Sequence, residues 1–173
     1  WVELHQLISG ENATQGLRRV NRDVLAYSPS LVVICFGLND VHKGMEGINA
    51  YAKDLKKIFD KLKEQDIEVV FLTPNMMNTY VSPQLNDKLF IEIAQRAAQL
   101  QNDGVMDAYM DCAREICREE RVTLCDCYKK WKLLNKSGVD TTDLLSNYIN
   151  HPNREMHKLF AVSLFDTLMF GDI

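Results

Sequence analysis

A chain of 173 residues with 46% hydrophobic and 25% charged residues has the length and composition of one soluble globular domain with a substantial core. Its formal net charge of −4 argues against a nucleic-acid partner. The tightest basic cluster is Lys129, Lys130 and Lys132, and Arg114, Arg118 and Arg121 alternate with Glu115, Glu119 and Glu120, the pattern of a solvated helix face. No apolar run approaches the roughly 18 residues of a membrane span. Trp1-Val2-Glu3-Leu4-His5 has neither the basic start nor the apolar stretch of a signal peptide. A start at Trp rather than Met leads us to expect that the native N-terminus lies elsewhere. Cys35, Cys112, Cys117, Cys125 and Cys127 match no zinc spacing, so no metal or other cofactor is expected. They read as buried, reduced thiols of a cytoplasmic protein.

In chain order, residues 2–7 read as a strand running into Ile8-Ser9-Gly10. A helix is expected over 13–27, with Leu17, Val20, Val24 and Leu25 on one face and Pro29 as its breaker. Leu31-Val32-Val33-Ile34-Cys35-Phe36 is a continuous apolar run, the mark of a strand covered on both faces. An amphipathic helix follows over 48–65 on the stripe Tyr51, Leu55, Ile58, Phe59 and Leu62. A second buried strand spans 67–73 and stops at Pro74.

A helix over 83–101 is expected to start on Ser82 with Pro83 in its first position. Further helices are read over 106–120, 128–134 and 153–170, with a short strand over 122–127. Strands joined through helices imply a parallel sheet within a three-layer α/β/α sandwich. No repeat, low-complexity stretch or linker divides the chain, so residues 1–173 are expected to form one domain.

Function in such sheets collects at the carboxyl ends of the strands. The turn Gly37-Leu38-Asn39-Asp40 follows a buried strand. Gly37 permits a sharp turn, and the Asn39 amide offers a donor for an oxygen that gains negative charge. The bland alternative is a turn in which Asn39 and Asp40 bond only their own backbone. Asn150-His151-Pro152-Asn153 precedes the last helix. His151 is either a general base or a structural loop histidine. Gly10 either aims its N–H into the same mouth or merely connects a strand to a helix. His42 reads as a solvated loop histidine, and His157, six residues past His151, does not pair with it for a metal. Met76, Met77 and Tyr80 either wall a pocket or pack the core.

In combination and order, Ile8-Ser9-Gly10-Glu11, Gly37-Leu38-Asn39-Asp40 and His151-Pro152 resemble the SGNH/GDSL hydrolase family. The resemblance spans nearly the whole chain. It implies a flavodoxin-like parallel sheet and an acyl-ester hydrolase working through an acyl-enzyme. The substrate would be a small or carbohydrate-linked acyl ester. In that family a serine in a Gly-Asp-Ser block attacks the carbonyl. By resemblance, Gly10 and Asn39 match the oxyanion-hole donors, His151 matches the base, Gly37 is the turn glycine and Asp40 braces the loop.

The Gly-Asp-Ser block does not occur. Gly171-Asp172 is followed by Ile173, and Ser9 matches an ordinary Ser-Gly pair. The family's first strand would lie between those at 2–7 and 31–36. Its loss would leave unpaired backbone groups at roughly 1–3 kcal/mol each. The expectation is therefore an N-terminally truncated domain, with the serine upstream of Trp1 in a segment of roughly 40 residues. The position three before His151, often the family's acid, is Tyr148; Asp140 and Asp143 lie further upstream. The alternative is a backbone carbonyl orienting the base, which leaves a Ser-His dyad. The rival reading is a degenerate SGNH-like domain that binds a ligand or partner through the same cleft. A nucleotide binder is disfavoured, because neither Gly-x-Gly-x-x-Gly nor a lysine-bearing phosphate loop occurs. Self-association is left open.

Overall fold

The order of elements is that of an alternating α/β chain, and the computed structural model, which describes residues 10–171, places them as a parallel sheet. The strand expected over 2–7, with His5 and Ser9, lies outside the described residues. Strands β1 (Leu31–Ile34), β2 (Glu68–Leu72) and β3 (Thr123–Cys125) pair in the order β1-β2-β3, all parallel. The register sets Ile34 beside Phe71 and Leu72 beside Cys125. Parallel neighbours require crossovers. These are α2 (Ile48–Lys63) between β1 and β2, and α3 (Lys88–Asn102) with α4 (Val105–Glu120) between β2 and β3. Helix α1 (Ala13–Asp23) precedes β1, and α5 (Cys127–Lys136) and α6 (His157–Phe170) follow β3.

The alternation of side chains along β2 divides the core in two. Val69 and Phe71 join the large cluster with Leu55, Phe59, Leu62, Tyr109 and Trp131. Val70 faces the other way, onto Leu159, Phe160, Leu164 and Leu168 of α6. Helices therefore cover both faces, and the expected three-layer sandwich is the observed one. Among the described residues no helix is long and apolar enough to cross a membrane.

Several boundaries differ from the sequence expectations. The first helix ends at Asp23 rather than continuing to residue 27. A separate 3-10 turn, Leu25–Tyr27, takes the chain to Ser28 in a left-handed conformation. The first described strand stops at Ile34, where pairing with β2 ends, so Cys35 is exposed rather than buried. Cys117, Cys125 and Cys127 are buried.

The helix expected from Pro83 begins five residues later, at Lys88. Asp87 wins the N-cap: its carboxylate accepts the Leu89 N–H at 2.8 Å, while Ser82 closes an earlier turn, its carbonyl accepting the Leu85 N–H and its hydroxyl the Gln84 N–H. The last helix begins at His157, not Asn153. The Asn153 side chain accepts the Met156 N–H at 3.0 Å in a preceding turn.

The start of α3 is testable. Asp87→Ala removes the cap and should lower stability by about 1 kcal/mol, a fall of roughly 2–4 °C in Tm for a chain of this size. A helix begun at Pro83 would place residue 87 in its interior, where alanine is favourable, and thermal unfolding would then show no loss.

Candidate active site

The turn after β1 is held by one buried carboxylate. Gly37 adopts φ +124, a conformation that demands glycine, and a Cβ there would also require the end of the Met110 side chain, 2.5 Å away, to shift. Asp40 is 3% exposed. One of its oxygens accepts the Gly37 N–H at 3.0 Å and the other accepts the Ala13 N–H at 2.9 Å. Burial pushes the Asp40 carboxyl above its ordinary pKa, while the two N–H donors pull it down. The same carboxylate thus closes its own turn and clamps the start of α1.

Asn39 makes a second tie. Its Nδ2 donates to the Glu11 carbonyl at 2.8 Å. Gly10 adjoins Glu11 and has φ +78; nothing lies within 4 Å of a Cβ added there, so its requirement is conformational. Asn12 caps α1 through a reciprocal capping box with Gln15. Gly10, Gly37, Asn39 and Asp40 are therefore gathered where the two loops meet. An amide carries two N–H donors. The second one on Asn39, and the Gly10 N–H, have no partner among the described residues.

His151 lies on a different loop, fixed by a different asparagine. Asn147 Oδ1 accepts the N–H groups of Ile149, Asn150 and His151 at 3.1, 2.9 and 2.9 Å. Leu145 and Pro152 form an antiparallel bridge. The loop is tied to the connection after β2: Asn78 N–H donates to the Ile149 carbonyl at 2.8 Å, and Asn75 Nδ2 donates to the Asn150 carbonyl at 2.9 Å. The loop bearing His151 is thereby braced against the connection leaving β2, the strand next to β1.

The imidazole itself is exposed and bonds no described residue. Asp140 accepts the Tyr80 hydroxyl at 2.7 Å and the Thr142 N–H at 3.0 Å, and neither it nor Asp143 bonds His151. Tyr148, where the family often has its acid, takes a left-handed conformation at φ 55.

Two further expectations are resolved here. Met76 and Met77 are buried in the core, whereas Tyr80 of the same connection is exposed. His42 retains an exposed surface, yet burial of its ring and the Arg96 guanidinium push its pKa below the usual imidazole value. Sequence reasoning passes over Asn75, Asn78 and Asn147, because isolated asparagines carry no periodic or motif signal. The Asn12-x-x-Gln15 spacing, by contrast, is a legible cap.

Residues 2–159 match the model of the GDSL-like Lipase/Acylhydrolase family. The chain belongs to that family. Its fold is shared with solved GDSL-type structures. The acetyl xylan esterase AlAXEase superposes with a TM-score of 0.72 at 22% identity, over 94% of this chain and 78% of that one. A catalytic mutant of Axe2, an acetylxylan esterase from Geobacillus stearothermophilus, gives 0.71 at 20% identity, over 94% and 70%. LAE5, an alpha/beta hydrolase enzyme from the metagenome of Lake Arreo, Spain, gives 0.69 at 18% identity, over 95% and 71%. At these identities the likeness speaks for the fold alone. No curated protein matches the chain.

The Asp40 clamp has a measurable weight. Asp40→Ala orphans two buried donors and should destabilise the protein by about 1–3 kcal/mol for each. Urea unfolding reads this directly. A change within about 0.5 kcal/mol, the range of an ordinary surface substitution, would mean that Asp40 clamps nothing.

Proposed function

We propose that this chain is the greater part of a serine ester hydrolase domain, acting on a small or carbohydrate-linked acyl ester through an acyl-enzyme. The observation that carries the reading is the junction of the Gly10 and Asn39 loops under Asp40, where the Gly10 N–H and the second Asn39 amide N–H have no partner among the described residues. N–H donors aimed at one point are what stabilises a tetrahedral oxyanion. His151, presented on a braced loop at the carboxyl end of the sheet, supplies the base. The two structural neighbours named as acetyl xylan esterases support an acetyl-class ester on a sugar. Unpaired cysteines support a cytoplasmic setting.

The reading requires a nucleophile, and no Gly-Asp-Ser occurs among the 173 residues. We assign the serine to a segment outside them, seated on the open side of β1. Two features support this placement. Among the described residues β1 pairs with no strand except β2, and Val33 is exposed in what reads as a fully buried run. Helix α6 is apolar on its outer face as well as its inner one, with Val162, Phe165, Met169 and Phe170 exposed; a helix apolar all round is normally buried. The rival, a non-catalytic domain binding a ligand through the same cleft, is favoured by one observation: among the described residues no acid bonds the His151 imidazole.

Turnover separates the two. In the protein carrying the serine-bearing segment, His151→Ala should abolish most hydrolysis of p-nitrophenyl acetate, and a wild-type rate would remove His151 from the mechanism. Asn39→Ala should lower kcat by roughly 10²–10³-fold; an unchanged kcat would reduce Asn39 to a turn residue.

A further inference from the structure

Two thiols meet where β3 passes into α5. Cys125 ends the strand and Cys127 opens the helix. Asp126 between them takes φ −88 and ψ 76, close to the inverse γ-turn, whose bend draws the flanking residues together. The bend is held through the Asp126 carboxylate, which accepts the Lys129 N–H at 3.0 Å and the Arg114 guanidinium at 2.9 Å. Both cysteines fall on the α6 side of the sheet, in the cluster with Val70, Leu159, Phe160 and Leu164.

The two thiols differ in access. Cys125 lines a cleft of about 530 Å³ between α5 and α6, together with Lys130, Ser163 and Thr167. Cys127 is fully buried and is not part of the cleft wall. Lys129, Lys132 and Lys136 also line the cleft, against Asp126 and Asp166, so its walls are net positive. Lys130 donates to the Ser163 hydroxyl at 2.7 Å, and no carboxylate pairs with it among the described residues.

The thiols also differ in protonation. The neighbouring Cys127 thiol pulls Cys125 below the ordinary thiol pKa against the cost of burial; the Thr167 hydroxyl and the Lys130 ammonium help, and Asp126 opposes them. The same contact and burial push Cys127 up. The pair therefore gives up one proton readily and holds the other. A thiolate at the wall of a cationic cleft, with a thiol directly behind it, is chemically an oxidant-sensitive dithiol. The reagent must be small, because Cys125 is only 1% exposed. The ammonium beside it favours one whose leaving group is an oxyanion.

We propose that Cys125 and Cys127 form a reversible oxidation site for small hydroperoxides, with Cys125 as the attacking sulfur and Cys127 as the resolving one. The Cys125 thiolate attacks one peroxide oxygen. An S–O bond forms, the O–O bond breaks, and the other oxygen leaves as alkoxide or hydroxide and takes a proton from water. The Cys127 sulfur then attacks the Cys125 sulfenic acid. The S–S bond forms, the S–O bond breaks, and the departing hydroxide takes the Cys127 proton as water. Two electrons pass from the thiols to the peroxide. The site does not depend on the ester-hydrolase reading.

The test exposes the reduced, full-length protein to hydrogen peroxide at neutral pH and then unfolds it in iodoacetamide. Trypsin releases both cysteines, and no other, in the peptide 122–129. That peptide should carry no alkyl group and lack two hydrogens, and prior reduction with dithiothreitol should restore two alkylated thiols. It should oxidise roughly ten-fold or more faster in the folded protein than in guanidinium, where both thiols have ordinary acidity. Lys130→Gln should reduce that advantage. Cys127→Ser should stop at the Cys125 sulfenic acid, captured by dimedone. A peptide 122–129 that stays alkylated, or oxidises no faster folded than unfolded, overturns the proposal. Dimedone labelling of Cys112 or Cys117 in preference to Cys125 overturns it as well.

Discussion

A single buried carboxylate organises the candidate site. Asp40 accepts one N–H from its own turn and one from the start of α1, so the loop after β1 and the loop before α1 cannot move independently. A carboxylate taken out of water is costly unless it is hydrogen-bonded, and here the compensation comes from the two backbone groups that need partners. Asn39 adds a weaker tie in the same direction, through the Glu11 carbonyl. These three bonds fix how the two loops meet.

The fold was largely legible because burial on both faces leaves a strong mark. Val69, Val70 and Phe71 are apolar in succession since β2 lies between two core clusters, and no helix or half-exposed strand requires that. The amphipathic stripe of α2 was equally plain: Tyr51, Leu55, Ile58, Phe59 and Leu62 are all buried. Boundaries were less legible. Ser82-Pro83 and Asp87 are both acceptable helix starts, and the choice between them is settled by which side chain reaches the free N–H groups of the first turn. The early stop of α1 and the late start of α6 are of the same kind, since a propensity pattern does not register where a loop must turn aside.

The candidate site was legible in its motif residues and opaque in its supports. Gly10, Gly37, Asn39, Asp40 and His151 stand out because strand-end glycines, amides and histidines are chemically conspicuous. Asn147 fixes the backbone on which His151 sits, yet its role depends on three N–H groups converging on one oxygen, a property of the folded loop only. The methionines after β2 mislead for the opposite reason: a flexible apolar side chain in a strand-end loop suits a pocket wall or a core equally, and the packing of Met76 and Met77 decides for the core. Among the described residues β1 pairs only with β2, and α6 exposes Val162, Phe165, Met169 and Phe170.

The central claim is that Gly10, Asn39 and His151 act on one substrate carbonyl. A crystal structure of the protein with its serine-bearing segment, after reaction with an aryl phosphonate ester, tests it most directly, because the phosphonyl oxygen stands where the oxyanion would form. The account places that oxygen within hydrogen-bond distance of the Gly10 N–H and the Asn39 Nδ2, with the His151 imidazole beside the serine Oγ. A phosphonyl oxygen held by other groups, or a His151 ring turned away to solvent in the adduct, would contradict it.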